Sequence, residues 1–368
     1  MAKVIEINDI RDLGAYRYFW NQLFAQTPHG TFFQTLDWLE TYWHFFGEGK
    51  KLCVLLVQVD CQMIGILPLV EQIEYTHAGP VRVLTYPLDA WGPFFGPIGS
   101  QPTATLYAGL QYLAGAARSW GMLDFRWIEP ELDRGRTFTA MRCQTLSPVT
   151  LPWKPTYAIE LPDDFDEYLE TRTSKFRASV RRAIRRVEQA GIVAERYRPE
   201  IDRTRPFCPN EKLYQECVAL AKRTWQGSST NGTTISHQQT AAYFHECFIK
   251  ASRLGMLDLM TLRQNERLIA FSYNFHHQGR VLGLRVGYEP DCQQLSPGIA
   301  MMGLQIRDSI ERGDSIIDLG SDHYDVKARW INRTLESQRV CHYSRYSLQA
   351  NILRWGHWLK YRQAGAAA

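Results

Sequence analysis

The chain of 368 residues lacks any apolar run of the roughly 18 residues that would cross a bilayer. Its opening, Met1-Ala2-Lys3-Val4-Ile5-Glu6, places charges where a secretion signal would be apolar, so a cytoplasmic location is expected. Paired cysteine motifs are missing too. Cys53, Cys61, Cys143, Cys208, Cys217, Cys247, Cys292 and Cys341 are scattered, with no Cys-x-x-Cys and no Cys/His ligand spacing. That argues against a disulfide framework or a zinc site and for reduced thiols. His237, His245, His276, His277 and His323 have no metal spacing either, so no metal is assigned. A net charge of +4 is too mild for a nucleic-acid coat, and any basic partner site must be local. No Cys or Ser lies in a nucleophile motif such as Gly-x-Ser-x-Gly.

What is present is a soluble, globular composition, 45% hydrophobic and 22% charged, with 12% aromatic residues. The length exceeds one comfortable core and predicts two domains of similar size, 1–150 and 151–368. The first reads as a strand at Val4–Ile7, helices Asp12–Leu23 and Leu36–Phe46, and strands Lys51–Val59, Met63–Gln72 and Arg82–Tyr86. A shaped loop Trp91–Gly99, a helix Thr103–Gly121 and a strand Met122–Glu129 follow. Residues 130–156 show no strong period. The second half reads as strand Thr156–Leu161, one long helix Asp163–Ala190, strand Ile192–Tyr197 and helices Glu211–Gln226 and His237–Arg253. Meandering strands, a helix Ile299–Arg312, and closing strands and a helix complete it. The order is of α/β type, and the halves share it without matching residues.

The stretch Arg280–Trp330 organises the second half. An apolar strand Val281–Tyr288 leads through the polar loop Glu289–Gly298 into the helix, with Ser296 as its expected N-cap and Pro297 at its first position. Such a helix start is an anion site, or an ordinary turn that happens to carry Ser and Gly. Asp318 ends the next strand, where α/β sites cluster; it is either an acceptor-orienting carboxylate or a turn residue ahead of Gly320. Tyr324 reads as an acid or a packed aromatic, and Lys327 as a charge-neutralising group or part of a solvated face. The long helix carries Arg172, Lys175, Arg177, Arg181, Arg182, Arg185 and Arg186 with no acid between Glu170 and Glu188. Its buried stripe is Phe176, Val180, Ile184 and Val187, so Lys175, Arg182 and Arg186 can face out together toward an anionic partner, unless other segments supply the acids. Trp225-Gln226-Gly227 reads as the wall of an acceptor cleft or a plain helix end.

The residues Ser174-Lys175-Phe176-Arg177, Trp225-Gln226-Gly227, Gly287-Tyr288-Glu289-Pro290, Ser296-Pro297-Gly298, Asp318-Leu319-Gly320 and Tyr324-Asp325-Val326-Lys327 with Trp330 resemble, in order and spacing, the GNAT acetyltransferase superfamily. Within it the chain is similar to the branch related to FemAB peptidyltransferases and to CelD-like polysaccharide-biosynthesis acetyltransferases. The resemblance implies an α/β (α+β) fold of two tandem GNAT-like domains, each a mixed, mostly antiparallel sheet flanked by helices. It implies that the second domain carries the acyl-donor site. There the backbone of the strand holding Val286 and Tyr288 would bind the pantetheine of acetyl-CoA, and the loop holding Gln294, Ser296 and Gly298 its pyrophosphate. Trp330 falls in the same matching set and is placed with Lys175, Arg182, Trp225 and Gln226 as substrate-binding. The spacing Gln294-x-x-x-Gly298-x-Ala300 is one residue longer than the family's loop, and Pro297 removes one donor N–H.

The expected activity is therefore direct acyl transfer, from acetyl-CoA to an amine or hydroxyl of a sugar or cell-envelope precursor, with Asp318, Tyr324 and Lys327 as catalytic candidates. The partner is a small or saccharide acceptor, anionic by the basic helix. Two alternatives stay open. One is a FemAB-type transferase using aminoacyl-tRNA on a peptidoglycan precursor; the other is a non-catalytic binding protein on a degenerate GNAT scaffold.

Overall fold

The computed structural model describes residues 2–87, 94–115, 120–201, 204, 207–228 and 234–365, and their side chains except at Trp225 and 358–365. The chain folds as two units, Met1–Pro155 together with Glu336–Ala368, and Thr156–Leu335. The expected boundary at 150/151 therefore misses the return of the C-terminal segment to the first unit.

The first unit opens with strands β1 (Ala2–Ile7), β2 (Lys51–Val59), β3 (Gln62–Thr76), β4 (Gly79–Thr85), β5 (Met122–Ile128) and β6 (Pro148–Pro152). Its helices are α1 (Arg17–Ala25), α2 (Leu36–Phe46), α3 (Pro102–Gly115), α4 (Pro130–Asp133) and α5 (Arg136–Cys143). The second unit holds β7 (Thr156–Glu160), β8 (Ile192–Tyr197), β9 (Leu257–Gln264), β10 (Arg267–His277), β11 (Arg280–Tyr288), β12 (Ile316–Asp318) and β13 (Arg333–Leu335). Around it lie α6 (Phe165–Glu170), α7 (Ser174–Gln189), α8 (Glu211–Arg223), α9 (Ala241–Arg253), α10 (Pro297–Glu311) and α11 (Tyr324–Lys327). Strand β14 (Gln338–Tyr343) and helix α12 (Leu348–Gly365) then rejoin the first unit.

Each unit is one seven-stranded sheet, in the orders β1-β2-β3-β4-β5-β14-β6 and β8-β9-β10-β11-β12-β7-β13. The two orders match strand for strand. In each, a single parallel pair (β4·β5, β11·β12) sits among antiparallel neighbours. The repeat hinted at by element order is thus a repeat of topology. β14 lies antiparallel to β5 just as β7 lies antiparallel to β12. The fold class read from the resemblance, two mixed and mostly antiparallel sheets flanked by helices, is the one observed.

The local deviations have local causes. The expected helix Asp163–Ala190 is interrupted. Asp164 caps α6 by accepting from the N–H groups of Asp166 (2.7 Å) and Glu167 (3.2 Å), and Thr173, extended at φ −63° and ψ 147°, starts α7 by accepting from Phe176 N–H. Residues 130–156, read as periodless, contain α4, α5 and β6, all too short to give a period. Helix α9 starts at Ala241, four residues after the expected His237. The Trp91–Pro93 part of the expected loop lies outside the described residues.

In the second unit the core joins α7 and α10 to the sheet through Val180, Ile184, Val187, Met301, Leu304 and Ile317. The two helices touch at Gly303, where a Cβ would stand 2.9 Å from Val180 Cγ1 and 3.1 Å from Ile184 Cδ1. Gly303→Leu has no room without moving α7, and it is expected to cost about 2–3 kcal/mol, read as a lower urea midpoint at constant slope.

Candidate active site

The site is built where two strands part. β11 pairs with β10 over its whole length, but with β12 only through Arg280↔Ile316, Val281↔Ile317 and Leu282↔Asp318. Beyond Leu282 no strand among the described residues lines that edge of β11. A bulge falls here: Tyr273 faces Arg285 and Asn274 faces Gly283, leaving Leu284 extra. Gly283 is required by closeness, since a Cβ would lie 3.2 Å from the Asp318 carbonyl oxygen.

Asp318 closes β12 at the fork and is buried. Its Oδ1 accepts the Gly320 N–H at 2.8 Å, a turn made possible by Gly320 at φ +77°. Its Oδ2 faces Arg280 Nη2 at 3.6 Å, an ion pair too long for a good hydrogen bond. Burial raises its pKa above the usual carboxylate value, against the opposing pull of Arg280, the Gly320 N–H and Lys327. Lys327 Nζ donates to the Gly320 carbonyl at 3.1 Å, and the Tyr157 N–H donates to the same oxygen at 3.1 Å. Gly320 therefore ties the carboxylate to the ammonium through one peptide unit on each side. Burial lowers the Lys327 ammonium to about 8, in spite of Asp318 and Asp322. Tyr157 forms the floor: its ring centroid is 5.9 Å from Lys327 Nζ and 5.0 Å from the exposed Tyr324 ring.

The matching position of the first unit is Asp124, opposite Thr85 as Asp318 is opposite Leu282. It is equally buried, but Arg126 (2.6 Å) and Arg339 grip it, and those guanidiniums lie 5.2 and 5.0 Å from the Trp153 ring. Burial works to raise the Asp124 carboxyl and the two arginines outweigh it, so it is held below its usual range. The fork of the second unit is the one whose carboxylate is poorly neutralised and whose lysine is poised.

Along the free edge of β11, the buried Gln226 donates from Nε2 to the Val286 carbonyl at 3.1 Å, while its Oε1 is buried without a partner. Gln226 thus occupies an oxygen expected to meet the donor. The Trp225 side chain lies outside the described residues. Arg285, on the same strand, lies 5.7 Å from the Phe244 ring, and burial lowers it to about 10. Tyr288, 39% exposed, faces α10, its ring 3.5 Å from where a Gly298 Cβ would stand.

Ser296 differs from expectation. It lies in the left-handed region at φ 55° and ψ 50°, and its side chain caps nothing. The residue also closes the 3₁₀ turn Pro290–Leu295, with its N–H on the Gln293 carbonyl, and that left-handed closure overrides the extended N-cap geometry. Its carbonyl accepts the N–H groups of Ile299 (3.0 Å) and Ala300 (3.1 Å). With Pro297 lacking an N–H, the Gly298 N–H remains without an acceptor among the described residues. Arg186 Nη1 donates to the Gln294 carbonyl at 3.3 Å and brings a cation of α7 beside this helix start. One free N–H, one guanidinium and a fifteen-residue helix can hold an anion, more loosely than a glycine-rich loop would.

The basic helix divides. Arg172 and Arg177 donate to backbone carbonyls and Arg181 to Asp166. Lys175, Arg182 and Arg185 are exposed and make no ion pair among the described residues. Trp330 is corrected: it is 8% exposed, packs edge-on against Phe176 at 4.8 Å, and belongs to the core, because Tyr168 Oη on its carbonyl (2.7 Å) draws that turn inward. Arg280, Arg285 and Tyr157 were not singled out from sequence. The available signal was two arginines inside an apolar strand, which burial makes costly and therefore informative.

Residues 174–328 match the family model of an acetyltransferase (GNAT) domain. No curated protein matches the chain. Among solved structures, FemX superposes with a TM-score of 0.60 at 12% identity, covering 96% of this chain and 99% of its own. A conserved protein of unknown function from Bacteroides thetaiotaomicron VPI-5482 superposes with a TM-score of 0.54 at 10% identity, covering 94% and 100%. At these identities the likeness is one of fold, spanning both units.

Proposed function

We propose that the second unit is a GNAT-type acyltransferase that moves an acetyl group from acetyl-CoA directly to an amine or hydroxyl of an anionic saccharide or cell-envelope precursor. The observation that carries this reading is the fork between β11 and β12, with Asp318 and Lys327 joined through Gly320. In the reaction the acceptor's N or O bonds to the acyl carbon, the C–S bond breaks, and the acceptor's proton ends on the departing sulfur. Lys327 as an ammonium faces the developing oxyanion and gives its proton to the thiolate, and the proton released by the acceptor restores the ammonium, so one proton passes net from acceptor to sulfur. Asp318 keeps Gly320, and through it Lys327, in place. Tyr324 borders the same floor as the acceptor's contact. The donor's pyrophosphate would lie at Gly298 and Arg186.

The test is release of free thiol from acetyl-CoA on adding amino- or hydroxyl-bearing sugars with and without phosphate. Acceptor-dependent release supports the reading. No release from any acyl-CoA, together with transfer from aminoacyl-tRNA, replaces it with the tRNA-dependent chemistry; neither activity leaves a binding protein. The exposed cations make a separate prediction. Lys175→Glu with Arg182→Glu should raise KM for a phosphorylated acceptor about tenfold at low salt, and less at high salt, with kcat little changed.

A further inference from the structure

Helix α12 buries one side and leaves an apolar stripe on the other. Ala350 and Leu353 pack with Val81, Val83 and Tyr343 in a small core of the first unit. His357 Nδ1 meets Tyr343 Oη at 2.5 Å on that same side. On the opposite side Leu348, Ile352 and Trp355 recur at helical spacing, 72%, 44% and 59% exposed. Tyr346, 83% exposed, precedes them with the Arg345 guanidinium 4.8 Å from its ring. Charge is also lopsided. From Ser337 to Ala368 the sequence holds five Arg or Lys and no Asp or Glu, in a chain whose totals are 42 and 38. Arg345 is exposed beside the stripe, and Arg354 is exposed at the packed edge of the helix.

We propose that this face of α12 is an interfacial anchor for an anionic lipid bilayer. Leu348, Ile352 and Trp355 enter the boundary between headgroups and acyl chains, and Arg345 meets lipid phosphates. Two features favour a bilayer as the occupant over a protein groove. The apolar stripe follows the exposed Arg345 in a segment that carries five cations and no acid, complementary to a negative surface of indefinite extent. Its aromatic members, Trp355 and Tyr346, are the residue types that settle at the headgroup level. The helix lies on the membrane and does not span it: among the described residues no helix is long and apolar enough to cross.

The test is co-sedimentation of the full chain with vesicles of phosphatidylcholine alone or with roughly a third phosphatidylglycerol. Binding to the anionic vesicles should be at least about tenfold stronger, and should weaken as salt is raised. Ile352→Glu with Trp355→Glu should reduce it about tenfold or more with the thermal melt unchanged, because both positions are exposed. Arg345→Glu should remove much of the salt dependence. Tyr18→Glu, at an exposed aromatic of α1, is the control and should bind as the parent does. Equal binding to both vesicle types, or a double variant that binds normally, overturns the proposal. So does a wild-type dimer that the double variant splits, which would make the face a contact between copies of this chain.

Discussion

Replacing Lys327 by Met should lower kcat by roughly 10²–10³-fold while leaving acetyl-CoA affinity unchanged. The side chain is half-buried, donates to Gly320 and stands over Tyr157, so Met fills its volume without disturbing the floor. What is lost is a charge beside the reacting carbonyl, in surroundings dry enough to bring the ammonium down to about 8. The sign of the pH dependence follows. Below about 8 Lys327 is an ammonium and can serve the oxyanion and the thiolate; as pH rises through about 8 that form is lost and kcat should fall. Lys327→Arg keeps its charge far above this range, so whatever activity it retains should lose the alkaline limb. An alkaline limb that persists in the Arg variant would assign it to another group.

The largest stability effect should come from Asp258→Ala. Asp258 is fully buried and accepts from Arg196 Nε (2.8 Å) and Nη2 (2.6 Å) and from Arg198 Nη2 (3.0 Å). Arg196, its side chain 1% exposed, also reaches Asp308 and Ser309, and Arg198 reaches Asp314. Removing the shared carboxylate leaves two guanidiniums in a dry site with too few acceptors, at a cost of about 3–5 kcal/mol. A fall in Tm on the order of 10 °C should follow. Arg196→Met with Asp258→Leu should cost less than Asp258→Ala alone, because the burial penalty leaves with the charges. The same cluster sets an acid dependence. Burial and Arg198 hold His276 down to about 4, and the arginines, outweighing burial, hold Asp258 below its usual value. The unfolded chain therefore binds more protons than the folded one as pH falls through 6.5 toward 4, and stability should decline over that window. Thermal melts from pH 7 to pH 4 read this directly, and a flat profile in His276→Gln would identify the histidine's share.

Patterns with a period were legible in the sequence. β2, α2 and β8 have the expected bounds, and Phe176, Val180, Ile184 and Val187 form the buried stripe read for the basic helix. What was not legible depends on competition. Ser296 could cap α10 or close the turn before it, and either choice uses the same residue. Thr173 carries a helix start inside a run that otherwise keeps its helical period. β14 mixes polar and apolar residues in a way that would suit either sheet, and only tertiary pairing with Met122 to Ile128 assigns it to the first. The chemistry was half visible. Asp318 and Lys327 stood out by position, but their link through Gly320 needs the left-handed turn and the parting of β11 from β12. Arg280 and Arg285 were hidden because a charge in an apolar strand has meaning only once its burial is known.

The central claim is that the fork of the second unit receives an acyl-CoA, and calorimetric titration of the full chain with acetyl-CoA tests it most directly. Gly298→Asp is the informative variant. A side chain there meets the Tyr288 ring only at ordinary contact, and an acid in the first turn of α10 favours the helix, so the fold is retained while a negative charge replaces the anion. The prediction is micromolar binding by the parent and by Lys327→Met, and none by Gly298→Asp. Absence of binding by the parent, or undiminished binding by Gly298→Asp, would contradict it.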